Sequence, residues 1–246
     1  MSTAGPVAGS VAGRVIVVAG AAGAAGPPLV ARLAAAGATV VAADASAERL
    51  EPVVAQGNAA AAAGGNVHAA VVDLLDEQAT RDWAAGVLAA FGRVDGLVHL
   101  VGGWRGGTSI TEADLADWTL LQDLLVRTLQ HTSRAFHDSL RASDDARLVL
   151  ISTVQAQAPS ATNASYAAAK AAAETWTLAV ADSFRGSNAA AVILPIKALL
   201  TPAMREAKPE AKFSGYTEVS ALADAILHLW LTPATELNGR RLAVTD

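Results

Sequence analysis

Cysteine is absent from the 246 residues. That excludes disulfides, cysteine-based metal sites and thiol nucleophiles, and it leaves the redox compartment unmarked. A surplus of positive charge is also missing, since the formal net charge is -5. Nucleic acids and anionic membranes both want a basic face, so neither is an expected partner. No apolar run reaches the roughly 18 residues of a membrane span without interruption by Gly, Pro or charge. Met1 to Gly13 lack a basic segment followed by a continuous apolar stretch, so no signal peptide and a cytoplasmic location are expected. The histidines His68, His99, His131, His137 and His228 show no metal-ligand spacing with carboxylates, so no metal is expected. His99 reads as a packed or hydrogen-bonded side chain. The GxSxG elbow of a serine hydrolase is absent too.

What is present is apolar and regular. Hydrophobic residues make up 52% of the chain and charged residues 17%. Such a chain can bury a large core, and its abundant alanine favours helices packed closely on a sheet. Residues 1–13 are rich in Gly, Ala and Ser and read as a flexible tail. Residues 14–246 read as one domain. Seven short apolar runs predict strands at Val15–Ala19, Thr39–Ala43, Val67–Val72, Gly96–Val101, Arg147–Ser152, Ala189–Leu194 and Arg241–Val244. Between them, 3.6-residue patterns predict helices over Leu29–Ala36, Ala47–Gln56, Glu77–Phe91, Glu112–Leu140, Ser165–Phe184 and Glu218–Leu231. Alternation of this kind means an α/β class: a Rossmann-like, doubly wound parallel sheet of about seven strands with helices on both faces.

The first strand runs into Ala19-Gly20-Ala21-Ala22-Gly23-Ala24-Ala25-Gly26. Glycine lets a backbone turn tightly and approach a pyrophosphate, and the N-terminus of the next helix offers free N–H groups to it. Pro27 and Pro28 suit first helical positions. Asp44 closes the second strand, where a dinucleotide site keeps its ribose-binding acid. A carboxylate there repels a 2′-phosphate, and Ala45 offers no positive charge, so the expected cofactor is NAD (NADH) rather than NADP. Further on, Tyr166 and Lys170 stand one turn apart on a predicted helix. An ammonium beside a phenol makes it more acidic, which suits a proton donor to a carbonyl.

Together these features resemble the short-chain dehydrogenase/reductase family from Val15 to about Val244. The glycine turn is similar to its TGxxx[AG]xG, with Ala19 for the threonine and with Gly20, Ala24 and Gly26 at the conserved positions. Tyr166-Ala167-Ala168-Ala169-Lys170 matches YxxxK. The resemblance implies that Asp73 and Leu74 lie by the adenine ring. It places Gly102, Pro195 and Thr201 against the cofactor, Lys170 on the nicotinamide ribose, and Tyr166 and Lys170 in catalysis. It also implies a homodimer or homotetramer built on the Glu112–Leu140 and Tyr166 helices, which look apolar on more than one face. Three departures stand out. Thr153 replaces the family's active-site serine. His99-Leu100-Val101-Gly102 replaces its NNAG. Leu125 replaces the helix asparagine that holds a relay water. Within the family, Gly102-Gly103-Trp104-Arg105-Gly106-Gly107 and the segment from Leu194 to Phe213 resemble the dihydropteridine reductases, which implies that Trp104 borders a flat substrate. The function so implied is hydride transfer between NADH and a small carbonyl, quinonoid or pterin-like substrate. The alternative is an NAD(H)-binding sensor or scaffold without turnover.

Overall fold

A computed structural model describes residues 11–244. Six parallel strands form the main sheet: β1 (Val15–Ala19), β2 (Thr39–Asp44), β3 (Asn66–Val71), β4 (Gly96–His99), β5 (Ala146–Thr153) and β6 (Ala189–Ile196). Their spatial order is β3-β2-β1-β4-β5-β6. The expected seventh strand shrinks to a single bridge between Ile193 and Arg241, made by two hydrogen bonds, Ile193 N–H to Arg240 and Leu242 N–H to Ile193. Too little chain lies alongside β6 there for a ladder. A separate ribbon pairs β7 (Leu199–Leu200) with β8 (Thr217–Glu218) in parallel.

Alternate residues of each strand feed opposite layers. Ile16 and Val18 of β1, with Val40 and Ala42 of β2, pack beneath α1 (Gly26–Ala35) and α8 (Val219–His228). Val15 and Val17, with Val41 and Ala43, face α3 (Glu77–Phe91), α5 (Thr128–Ala142) and α6 (Ala164–Ser183). Both faces are covered, which is why the strands read as unbroken apolar runs rather than alternating ones. The order reverses between β1 and β4, so a crevice opens at the carboxyl ends of those strands.

Local chemistry sets the boundaries. The helix α1 starts at Gly26 with Pro27 and Pro28 in its first turn and no side-chain cap. It ends at Ala35, and Gly37 then takes φ +88°. Ser46 caps α2 (Ala47–Ala60), and Asp76 caps α3. The predicted helix over Glu112–Leu140 begins at Leu115, capped by Asp114. It runs as α4 (Leu115–Gln122), a π turn over Asp123–Arg127, and α5. The helix α7 (Pro202–Ala207) and the short α9 (Ala234–Leu237) carry weaker sequence patterns and were not expected. The tail reading of residues 1–10 lies outside the described residues. Of residues 11–13, Val11 is fully buried and Gly13 donates to the Gly37 carbonyl, while Ala12 and Gly13 are exposed.

Candidate active site

A cleft of about 850 Å³ lies along the carboxyl ends of the strands. Gly20, Ala24, Asp44, Asp73, Leu74, Gly102, Trp104, Tyr166 and Lys170 all line it. Sequence reasoning therefore found residues from five separate segments that the fold brings to one cleft. At the glycine turn the need for glycine is steric. A Cβ on Gly20 would come within 2.8 Å of the Val101 nitrogen, and one on Gly26 within 1.8 Å of the Ala21 oxygen. The Gly26 requirement is internal to the turn, and Gly26 does not line the cleft. The N-terminus of α1 carries no side-chain cap, but the free N–H groups expected there are absent: Pro27 and Pro28 have none, and Gly26 and Leu29 donate to the Gly23 and Ala25 carbonyls.

Asp44 is buried, and its carboxylate accepts from the N–H groups of Ala22 (3.2 Å) and Ser46 (3.3 Å). Its third partner is Arg49 at 2.7 Å, reaching back from the first turns of α2. Arg49 also lines the cleft. The expectation of no positive charge near Asp44 is thus corrected: Ala45 supplies none, but Arg49 does. A helix can return a side chain five residues along the chain, which a reading of the neighbouring residue alone misses.

At the other end, α6 presents Tyr166 and Lys170 on one face. The Lys170 ammonium donates to the Ile151 carbonyl at 2.8 Å. Burial pushes Lys170 down to about 8, opposed by Glu174. Burial also pushes the Tyr166 phenol up. No acidifying effect of Lys170 offsets that burial, so Tyr166 is a neutral phenol at physiological pH. His99 is wholly buried, and burial followed by the charge of Lys170 holds it at about 3. It sits between the hydroxyls of Thr128 (3.2 Å) and Thr132 (3.3 Å), the packed and hydrogen-bonded role expected of it. Both hydroxyls also donate to helix carbonyls, Thr128 to Leu124 (2.7 Å) and Thr132 to Thr128 (2.8 Å), and a neutral imidazole has one N–H to offer them.

Besides Gly26, three expected site residues lie off the cleft wall. Thr153 is buried at the end of β5, and its hydroxyl accepts from the Gln155 N–H at 3.3 Å. Its neighbour Ser152 lines the cleft instead. Pro195 is buried within β6, and Thr201 caps α7 through the Met204 N–H. Leu125 sits in the π turn and packs with Leu121, Ala169 and Tyr166, so an apolar contact replaces any water relay there. Gln155, Lys197 and Tyr216 line the cleft without having been expected. Lys197 follows β6, donates to the Ser214 carbonyl at 2.9 Å and stands over the Tyr216 ring. Only the pairing of β7 with β8 brings these two together, and short strands of this kind leave little periodicity to read. Among the described residues no cluster of side chains could hold a metal, and no helix is long and apolar enough to cross a membrane.

The same architecture recurs widely in solved structures. A short-chain dehydrogenase/reductase from Mycobacterium ulcerans superposes with a TM-score of 0.86 at 23% identity, over 95% of this chain and 89% of that one. A metagenomic short-chain oxidoreductase solved with NADP gives a TM-score of 0.79 at 25% identity, over 96% and 99%. An NAD+-bound xylitol dehydrogenase gives 0.83 at 18% identity, over 95% and 98%. No curated protein matches. Residues 14–212 match the family described as short chain dehydrogenase. That match spans most of the chain, including the glycine turn and the Tyr166–Lys170 helix, and the protein belongs to the short-chain dehydrogenase/reductase family of oxidoreductases.

Proposed function

We propose that the protein is an NADH-dependent reductase of small, flat carbonyl, quinonoid or pterin-like compounds. The carrying observation is the polarity of the cleft: the Asp44 carboxylate at one end, and Tyr166 with Lys170 at the other. The residues present fit a nicotinamide dinucleotide. The cradle at Gly20 and Gly26 admits no Cβ, and the turn residues Gly20, Gly23, Ala24 and Ala25 line the cleft where a pyrophosphate would lie. Asp44 would accept from ribose hydroxyls, Asp73 and Leu74 would border the adenine, and Gly102 would border the nicotinamide half, with Pro195 and Thr201 standing back from the cleft wall. When bound, the dinucleotide supplies the hydride.

Tyr166, neutral at physiological pH, donates its proton to the oxygen or nitrogen on which charge develops. Lys170 stabilises the phenolate left behind and holds the ribose. Ser152 and Thr153 end the strand beneath the substrate, and Thr153 orients the substrate oxygen once its hydroxyl turns from Gln155. Trp104, half exposed beside the cleft, offers a flat face for stacking. Its loop is the part that resembles the dihydropteridine reductases.

Selectivity for NADH rests on Asp44, with Arg49 as a counterweight that would tolerate some NADPH. Assembly into a homodimer or homotetramer is supported by apolar side chains left exposed on α4 and α6, among them Leu115, Leu120 and Leu178. The outer face of α5 is polar, with Arg134, His137 and Asp138 along a groove against Trp176, so α5 is apolar on one face only. A cytoplasmic location is the proposed one, and among the described residues no helix is long and apolar enough to cross a membrane.

The test is a screen of carbonyls, quinones and quinonoid dihydropterins with NADH and NADPH, alongside binding of both cofactors by fluorescence quenching. NADH turnover on at least one class is the expected result. Tight NADH binding without turnover on any class would favour a sensor, a reading to which buried Leu125 and the orientation of Thr153 lend some support.

A further inference from the structure

Three consecutive residues at the end of β5 are each held by a different charged side chain. Lys170 donates to the Ile151 carbonyl at 2.8 Å. Glu174 accepts the Ser152 hydroxyl at 2.5 Å. Arg241 donates to the Thr153 carbonyl at 2.9 Å. Glu174 and Arg241 are themselves an ion pair, with the guanidinium Nε 3.3 Å from both carboxylate oxygens. Glu174 is buried one turn beyond Lys170 on α6, and Arg241 comes from the segment that bridges β6 at Ile193.

We propose that Glu174 is a positioning residue of the catalytic centre, fixing the end of β5 and the charge of Lys170 from behind, with Arg241 as its counter-ion. The proposal rests on the catalytic reading of Tyr166 and Lys170 given above. A buried carboxylate is tolerated only where donors converge on it. Here one donor is a residue of the cleft wall, and the other reaches the next residue of the same strand. Moving Glu174 therefore moves the floor beneath Tyr166.

The electrostatic consequence follows from the neighbours. Residues i and i+4 of a helix lie on one face, so the Glu174 carboxylate acts on the Lys170 ammonium. The other groups facing that ammonium are few. Tyr166 on the same helix is neutral, and His99 from β4 is held neutral by burial. Ile151, Ser152 and Thr153 of β5 offer only carbonyls and hydroxyls. Asp123 and Arg127 of the π turn pair with one another at 3.3 Å. Burial drives Lys170 toward the neutral amine, and Glu174 opposes it.

The chain has only four lysines, Lys170, Lys197, Lys208 and Lys212, so the full protein labelled with carbon-13 lysine gives few signals. Lys170→Arg assigns the one of interest. Titration by NMR should then show the Lys170 midpoint moving to lower pH by about one unit in Glu174→Gln, where an attractive charge is lost. In Arg241→Gln a repelling charge is lost and Glu174 is freed, so the midpoint should move to higher pH. Opposed shifts are the signature of positioning by charge. A general loosening of the site would move both variants the same way, and either that or an unmoved midpoint overturns the proposal. Should Glu174→Gln fail to fold, Arg241→Gln decides alone, because its side chain is a quarter exposed. A wild-type protein that turns over no substrate would overturn the catalytic reading while leaving the lysine titration to decide the positioning. With an active enzyme, the alkaline limb of kcat/KM should follow the same two opposed shifts.

Discussion

At the amino-terminal end of the sheet, ionised side chains close on one another; at the carboxyl end they surround an open cleft. Asp95, just before β4, is fully buried and accepts from the Val15 N–H (2.9 Å), from Arg93 (2.7 Å) and from the Ser143 hydroxyl (2.7 Å). Arg147 of β5 is also fully buried, paired with Asp145 at 2.7 Å and donating to the carbonyls of Ala146, Leu229 and Thr232. Arg14 bonds Asp145 at 2.8 Å. Every one of these contacts is between parts of the protein. At the other end, the Gly20 turn, Asp44, Tyr166 and Lys170 line the cleft. The same resource, charge at strand ends, serves cohesion below and chemistry above. Substitutions should separate accordingly: the lower end governs stability and the upper end governs turnover.

The largest effect expected is at Tyr166. General acid catalysis contributes about a hundred- to ten-thousand-fold. Tyr166→Phe should lower kcat on a carbonyl substrate by that order while melting temperature and NADH affinity stay close to wild type. Steady-state kinetics with fluorescence titration checks this, and full activity on every substrate would leave Tyr166 outside the chemistry.

Arg147→Met should produce the reverse pattern. It strips a buried cation from three carbonyls and leaves Asp145 without that partner. Breaking a fully buried pair costs about 3–5 kcal/mol, and Asp145 is a quarter exposed, which reduces the effect. A loss of about 2–3 kcal/mol in urea unfolding is expected, with KM unchanged at temperatures where the protein is folded. If KM rose as stability fell, the two ends would be coupled and the division above would not hold.

Asp44→Ala should narrow the difference between NADH and NADPH. Hydrogen bonds to a charged group contribute about 1.5–3 kcal/mol, which corresponds to roughly ten- to a hundredfold in NADH affinity. The same change frees Arg49 to meet a 2′-phosphate, so NADPH binding should improve. Arg49→Ala in the otherwise intact protein should sharpen NADH selectivity. NADPH bound as tightly as NADH by the wild type would show that Arg49, not Asp44, dominates.

These two ends were not equally legible. The glycine turn, Asp44, Tyr166 and Lys170 stand out because close backbone approach and one-turn spacing leave marks within a few residues. Five of the six strands were readable because they are buried on both faces, whereas β3 at the sheet edge is mostly exposed. Arg49 was hidden by a helix turn between it and its partner. The Ser152–Glu174–Arg241 cluster joins residues 22 and 67 apart in sequence, and no local pattern links them. Asp95 and Arg147 carry no local mark of their burial, since only the assembled sheet encloses them. Thr153 was found by position, but its orientation follows from the turn after β5, where its hydroxyl accepts from Gln155.

The smallest effect, and the finest test of the contrast, lies in the acid limb of stability. Burial raises the Asp95 carboxyl, but hydrogen bonds from Arg93, Ser143 and Val15 outweigh it and hold the group below the ordinary carboxylate value. A depressed value in the folded state means that Asp95 stabilises the protein fully above its unfolded value, near 3.9. That contribution is lost as pH falls through the folded value. Ser143→Ala removes one of the three donors, and a single hydrogen bond to a charged group contributes about 1.5–3 kcal/mol at neutral pH. Below the folded value Asp95 is protonated in both proteins, and a bond to a neutral carboxyl is roughly half as strong. The stability difference between wild type and Ser143→Ala should therefore shrink as pH drops below about 4. Urea unfolding at several pH values measures it, with kcat at neutral pH as the control. A difference that stayed constant with pH would mean that Ser143 acts through packing rather than through the Asp95 charge. A change in kcat would mean that the lower end of the sheet reaches the upper one.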